Sequence, residues 1–540
     1  MGSRADTVFT NGQVITVNRR NDIAEALAVK DNAIVFVGSN AEAKSFQEGA
    51  EVIDLKGRSL IPGFTDVHEH ILVRGGNELG VDCRSPGVKS IEDIKALIAA
   101  RARITPKGGW IRGWGYDHSK LAEGRHPDRF DLDEAAPEHK VLIVRVCCHI
   151  AAFNTNALRH AGAADDGLKE LAGGPVGQRN GVNNGVMFEN ACMEVLSTAQ
   201  PSLEEMVDSL AVVSGMLLKE GITCCHDAGG HGAPSMKAFQ KAVELDRIKT
   251  RIITMLFALV GESTNFSNLY INSGIYTGFG NDRLKLGPIK IMIDGSSSGP
   301  TAATLEEYAS APGNHGLLSL TQEYIDDIVL RAHQAGYQMT THAVGDKAVI
   351  MFLDAVEKAL KAHPRQDHRH RIEHCAMVGH KPEIIRRIHQ LGVIPAAQPI
   401  FLYEFGDGYI RNFGEKRGGN MFPSASLLKA GIPVAGSSDC PVTFSNPLLN
   451  IHVAVNRETQ TGQLIGPDER VSVADALRMF TYNAAYASFD EKKRGSLETG
   501  KLADLAVLSE PLLSIAPETI RDVVVDMTFI DGQKLYVRQA

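Results

Sequence analysis

Eight short apolar segments, each running into polar residues, constrain this chain more than any other feature. They are IPGFTDVHEH (61–70), GITCCHDAGG (221–230), RIITMLFAL (251–259), IKIMIDGS (289–296), YQMTTHAVGD (337–346), HRHRIEHC (368–375), GVIPAAQP (392–399) and IPVAGSSD (432–439). Helical patterns lie between several of them, among them YIDDIVLRAHQAG (324–336), AVIMFLDAVEKALKA (348–362) and KPEIIRRIHQLG (381–392). Fully buried parallel strands read as unbroken apolar runs, because both faces are covered. Eight such strands alternating with helices predict an α/β fold, a (β/α)8 TIM-like barrel. Barrels of this kind place their chemistry at the C-terminal ends of the strands, where the polar residues of these segments fall.

The two ends of the chain have a different texture. Residues 5–60 and 500–540 read as short strands with tight turns, and Asn11-Gly12, Asp31-Asn32 and Asp531-Gly532 are hairpin candidates. We expect one β-sandwich built from both ends, residues 1–60 and 495–540, beside a barrel spanning 61–494. About 150 residues separate the first two barrel strands, far more than a βα connection needs. This 71–219 stretch is expected to be an insertion capping the barrel mouth.

Composition narrows the function classes. With 44% hydrophobic and 22% charged residues the chain has the balance of a soluble globular protein. A formal charge of −8 with no basic run argues against nucleic acid as a partner. There is no apolar signal region near the start and no run of 18 apolar residues, so a cytoplasmic protein without a membrane span is expected. The eight cysteines form no CxxC pair, and buried free thiols in a reducing compartment are expected.

The first strand carries the sharpest local signal. In LIPGFTDVHEH, Asp66, His68 and His70 share one side at strand period, while Val67 and Glu69 take the other. Two imidazoles at i and i+2 on a strand project in parallel and can bind one cation. Later strand ends add Lys290, His342, His374 and Asp439. Each has a plain structural alternative. Lys290 could salt-bridge Asp294, His342 could cap a turn, His374 could be a satisfied core histidine, and Asp439 could be a helix N-cap. Five strand ends offering donors to one cavity favour a divalent metal instead, since imidazole and carboxylate are good ligands for zinc and similar ions. An ammonium cannot ligate; a deprotonated buried Lys290 could add carbon dioxide to give a carbamate oxygen donor.

With PGFTDVHEH, HIAAFNTNAL, GVMFEN, GITCCHDAG, KIMIDGSSSG, THAVGD, HRIEHC, AAQP, GSSDCPV and TGKLADLAVL, the chain resembles the amidohydrolase superfamily nearly end to end. The branch it resembles is that of the type-3 amidohydrolases, which includes N-substituted formamide deformylases. The resemblance implies a distorted (β/α)8 TIM-like barrel with a β-sandwich, and it implies His68, His70 and Asp439 on one ion, His342 and His374 on a second, and carboxylated Lys290 between them. It leaves open whether one or two ions are bound, and it implies a homodimer.

The expected chemistry is hydrolysis of a linear, non-peptide C–N bond in a small-molecule substrate, an N-acyl or N-formyl amine. A divalent ion, zinc by preference, would lower the pKa of water toward about 7. Asp439 would act as base and then as acid. Alternatives on the same scaffold are a cyclic amide, carbamate or ester hydrolase, a non-hydrolytic isomerase or lyase, and metal binding without catalysis. His149, in CCHIAAFNTNAL, matches a histidine that the resembled family keeps near its substrate pocket, and is on that ground a candidate for substrate or oxyanion contact. Trp114, Tyr116, His118, Glu189 and Gln398 are candidate pocket residues. His226, Asp227, Arg371 and Glu373 are expected to orient the ligands.

Overall fold

The structure, a computed structural model, describes residues 4–146, 150–163, 175–229, 232–257 and 267–539. Residues 1–71 with 213–540 form one compact unit, and residues 72–212 form a second.

The first unit contains the barrel. Its strands are β1 (Phe64–Glu69), β2 (Ile222–Asp227), β3 (Arg251–Phe257), β4 (Leu284–Met292), β5 (Met339–Ala343), β6 (Arg371–His374), β7 (Ile394–Ala397) and β8 (Ala435–Gly436). Seven of the eight expected segments contain one of them; β4 starts five residues before its segment, 289–296, and overlaps only its first four residues. Each pairs in parallel with its sequence neighbour, in one eight-stranded sheet. Every residue of β1, β2, β6 and β7 is buried, which is why these segments read as continuous rather than alternating runs. β8 is only two residues long, and closure onto β1 is made past its end. The Asp439 N–H donates to the His68 carbonyl and the His70 N–H to the Cys440 carbonyl, both at 2.8 Å. The seam of the barrel therefore runs between two of the candidate ligands. Gly436 has no room for a side chain there, because a Cβ would lie 2.6 Å from the Phe480 ring.

Helices α1 (Ala233–Glu244), α2 (Gln322–Gln334), α3 (Asp346–Ala362), α4 (Pro382–Leu391) and α5 (Ile400–Gly419) follow β2, β4, β5, β6 and β7. Their apolar residues recur at i, i+3, i+4, as Ala348, Phe352, Ala355 and Ala359 do in α3, and that stripe is buried. Gly345 caps α3, and Asp346 occupies its first turn, where the helix dipole favours a carboxylate.

The two chain ends share one core. Ser59–Pro62, which leads into β1, pairs antiparallel with Leu505–Leu508 in a six-stranded sheet, and a four-stranded sheet is formed by residues 7–54. Phe9 and Phe529, from opposite ends of the chain, meet edge to face with centroids 5.2 Å apart, inside a cluster that includes Leu27, Val29, Leu505 and Val507. Asp31-Asn32 and Asp531-Gly532 are two-residue hairpin turns, closing Lys30↔Ala33 and Ile530↔Gln533. Asn11-Gly12 is not a hairpin. Asn11 is left-handed (φ 54°), but the strands it joins belong to different sheets, so the turn is a corner.

The second unit has a six-stranded sheet ordered 176–179, 182–188, 150–153, 140–145, 110–116, 81–82, with a core of its own around Ile91, Ile94, Ile98, Tyr116, Val141 and Ile143. The six described cysteines, Cys83, Cys192, Cys224, Cys225, Cys375 and Cys440, are buried and unbridged. Among the described residues no helix is long and apolar enough to cross a membrane.

Candidate metal centre

The six expected ligands come from the C-terminal ends of β1, β4, β5, β6 and the segment after β8. Asp439 Oδ1 lies 3.3 Å from His68 Nε2 and 3.3 Å from His70 Nε2. Lys290 Nζ lies 3.2 Å from His68 Nε2. Donor atoms of His68, His374 and Asp439 all fall within 4.8 Å of one another. The His374 ring is 5.1 Å from His68 and 4.4 Å from His342, centroid to centroid. His374 thus joins the group around His68 and Asp439, and His342 stands beside it.

These spacings fit an ion better than they fit a hydrogen-bonded core. Four ligands placed tetrahedrally about 2.1 Å from one ion stand about 3.4 Å apart. The outer nitrogens of the rings are already engaged. His68 Nδ1 is 2.5 Å from Glu373 Oε2, His70 Nδ1 is 2.9 Å from the Gly229 carbonyl, and His374 Nδ1 is 2.9 Å from Gln398 Oε1. An acceptor at Nδ1 fixes the proton there and leaves Nε2 with a lone pair facing inward. His342 is reversed: Nε2 sits 3.0 Å from the Gly295 carbonyl, leaving Nδ1 free to ligate.

The second layer is equally determined. Glu373 also accepts from Arg371 at 2.8 Å and from Thr340 at 2.5 Å. Arg371 donates to His226 Nδ1 at 2.9 Å and to the Val67 carbonyl at 2.7 Å. Asp227 accepts the N–H of Ile71 and of Gly229, and so sets the turn that offers the Gly229 carbonyl to His70. Glu373 therefore serves the ligand on β1 rather than its chain neighbour His374. His374 and Asp439 both have left-handed backbones (φ 72° and 60°), a strained conformation for such residues that clusters at functional sites.

Electrostatics follow from burial. Burial drives the Lys290 ammonium down, and it drives His342 to about 4 and His374 well below the usual imidazole range. Burial pushes Asp439 up, but His68 and His70 outweigh it and hold the carboxyl well below its ordinary value. Glu373 is likewise held low, against burial, by Arg371 and His68. His342 and His374 are therefore neutral and stand beside an anionic carboxylate, a combination that suits a divalent ion.

Two of the plain alternatives find no support in the contacts. Asp294 does not serve Lys290; its oxygens accept the N–H groups of Ala303, Val344 and Gly345. Asp439 caps no helix, since the next one, Pro447–Asn456, is capped by Asn446.

The expected pocket residues fare differently. Gln398 is fully buried; it holds His374 and donates to the Ala396 carbonyl and Ser437 Oγ, so it positions a ligand rather than facing a substrate. Tyr116 is buried in the core of residues 72–212 with its hydroxyl 3.0 Å from His126 Nδ1, and offers no face to a substrate. Trp114 Nε1 donates to the Asn77 carbonyl under the Arg84 guanidinium, and His118 stacks on His126 at 4.0 Å. His149 and the side chain of Glu189 lie outside the described residues. The sequence reading missed Phe401, whose ring stacks on His374 at 5.9 Å; its place directly after a strand end was the available signal.

Known proteins resemble this chain over its whole length. A sequence profile described as "Amidohydrolase family" matches residues 51–536. The protein LONG AFTER FAR-RED 3 of Arabidopsis thaliana is 30% identical, over 99% of this chain and 92% of its own length. The N-substituted formamide deformylase of Arthrobacter pascens is 28% identical, over 100% of this chain and 99% of its own. The crystal structure of an uncharacterized metal-dependent hydrolase from Pyrococcus furiosus superposes with a TM-score of 0.78 at 26% identity, covering 94% of this chain and 100% of that one.

Proposed function

This chain belongs to the amidohydrolase family, and from that premise we propose that it hydrolyses a linear, non-peptide C–N bond, converting an N-acyl or N-formyl amine to a carboxylate and an amine. As a family member it is a metal-dependent hydrolase of carbon–nitrogen bonds. The reading of the site rests on one observation: Asp439 Oδ1 stands 3.3 Å from the inward nitrogens of both His68 and His70.

His68, His70, His374, His342 and Asp439 would hold the metal, with Lys290 supplying a further oxygen donor if it carries a carbamate. The nitrogen and oxygen donor set suits zinc. A divalent ion held there supplies a Lewis acid and a water of lowered pKa. The chain's own residues do the rest. Asp439, anionic and at the seam of the barrel, takes a proton from the attacking water and returns it to the leaving nitrogen. Glu373, Gln398 and the carbonyls of Gly229 and Gly295 keep the four imidazoles in one tautomer each, so none reorients as charge develops. The full-length likeness to a formamide deformylase supports N-formyl amines as the first substrates to try.

The test is turnover by metal-reconstituted protein across N-formyl amines, N-acyl amines, formanilides, lactams and esters. Linear amides are expected to be cleaved fastest. Turnover of lactams or esters alone would replace this reading with cyclic-amide or ester hydrolysis. Single turnover in isotopically labelled water must place the label in the product acid; an unlabelled product would mean isomerase or lyase chemistry.

A further inference from the structure

Helix α5, which starts beside the metal centre, carries a carboxylate with a buried oxygen. It begins at Ile400, directly after β7 and Gln398. Phe401, in its first turn, stacks on the imidazole of His374, with planes inclined by 29°. Two turns on, the Tyr409 hydroxyl accepts from Ser297 Oγ at 3.1 Å, and Asn412 Nδ2 donates to the Ser298 carbonyl at 3.4 Å. One side of α5 therefore tracks the rim made by His374 and the loop after β4. The helix is regular through this stretch; its kink is later, at Gly414 (φ 76°).

Glu404 follows Phe401 by three residues, which makes the two neighbours on the helix surface. It is half-buried, its Oε1 is shut away from solvent, and that oxygen has no hydrogen-bond partner among the described residues. Burial pushes the carboxyl up, and among the described residues no cation opposes it. Carboxylate oxygens are seldom left in this state, because desolvation is repaid only by a donor or an opposite charge. Phe401 and Phe405, edge to face at 5.4 Å, add aromatic surface beside it, and the faces of such rings attract cations.

We infer that Glu404 is a specificity-determining residue that pairs with a cationic nitrogen, an ammonium or guanidinium, on a substrate whose C–N bond is cut at the neighbouring metal centre. This rests on the hydrolase reading above. The group attacked in an amide is neutral, so it leaves the charge of Glu404 unmatched. A second, basic nitrogen elsewhere on the substrate matches both the charge and the missing hydrogen bond. The preferred substrates are then mono-acylated diamines or similar basic amides rather than simple alkyl amides.

The experiment compares two N-formyl compounds on the metal-loaded full chain. One is the mono-formyl derivative of a linear alkyl diamine; the other carries a methyl group in place of the free ammonium. Wild type is expected to favour the ammonium compound in kcat/KM by roughly tenfold or more. Glu404→Gln should bring that ratio near one, and Glu404→Asp, which keeps the charge, should retain a preference. Equal kcat/KM for the two compounds in wild type, or a ratio unaltered in Glu404→Gln, would overturn the inference. If neither compound is hydrolysed, the functional reading falls and binding decides the inference alone. The free diamine should then raise the Tm of wild type and fail to raise that of Glu404→Gln; an equal rise in both, or none in either, would overturn it.

Discussion

His68 Nδ1 and Glu373 Oε2 lie 2.5 Å apart, both fully buried, joining the first strand of the barrel to the sixth. The pair fixes which nitrogen of His68 faces the centre. Replacing Glu373 with Gln keeps an acceptor but removes the charge that holds the imidazole proton at Nδ1. We expect Glu373→Gln to weaken divalent-metal affinity by about 10–100-fold. Competition against a chelator measures it, and an affinity equal to wild type would show that the contact is only packing.

Asp439 has two duties that substitution can separate. Asp439→Asn keeps an oxygen near His68 and His70 but cannot accept a proton. It should still hold metal while kcat falls by about 10²–10⁴. Metal content and steady-state kinetics on the same preparation decide the point; full activity would remove Asp439 from proton transfer.

At the opposite end of the barrel strands a histidine cluster makes stability sensitive to acid. His368 Nε2 is 2.8 Å from the Leu391 carbonyl, and its Nδ1 accepts the His370 N–H at 2.9 Å. His370 Nδ1 accepts the Met339 N–H, and its Nε2 meets His333 Nδ1 at 2.9 Å. His333 Nε2 in turn faces the His363 carbonyl at 2.7 Å. Every ring is neutral in this chain, because each has one nitrogen occupied as an acceptor. Burial lowers His368 from 6.5 to about 4 and moves His370 in the same direction. As pH falls, the unfolded chain takes up protons first, so this stabilisation is complete above about 6.5 and is lost on the way to about 4. His368 alone accounts for about 3 kcal/mol over that window. Urea melts of metal-free protein across it should show the loss, and His368→Gln should reduce the pH dependence. A flat profile would mean the cluster is charged or open in the folded chain.

Much of this arrangement was legible in the sequence, for identifiable reasons. Strands β1, β2, β6 and β7 are buried throughout, so their apolar runs and polar termini stood out without any alternation to decode. The Asp31-Asn32 and Asp531-Gly532 turns were readable because left-handed residues mark two-residue hairpins. Asn11-Gly12 carries the same signal yet turns a corner between sheets, since turn chemistry is local and strand partnership is not. Gln398 misled for a related reason: a polar residue at a strand end can face a substrate or hold a ligand, and only the position of His374 distinguishes the two. Tyr116 lies in a motif that reads as a pocket wall, WIRGWGYDHSK, but burial in its own unit's core has no signature at that length. Glu404 gave no sign, because an acid on a helix is ordinarily solvated.

The chain ends are tied to the barrel by a buried ionic contact. Arg251, at the start of β3, binds Asp504 through two nitrogens at 2.7 and 2.8 Å and Asp531 at 2.6 Å. Removing one partner of such a pair strands the other without compensation, at a cost of about 3–5 kcal/mol. Asp504→Ala should lower stability by that amount in chemical denaturation, with Asp531 softening the loss. A change under about 1 kcal/mol, the scale of a surface pair, would show that the contact is solvated.

The most direct test of the central claim is the divalent-metal content of the purified protein, followed together with amide hydrolysis as the ion is stripped and restored. The expected result is one or two transition-metal ions per chain, with turnover lost on stripping and regained on replacement, and neither retained in His68→Ala or His374→Ala. Full turnover by protein that contains no metal would contradict the account.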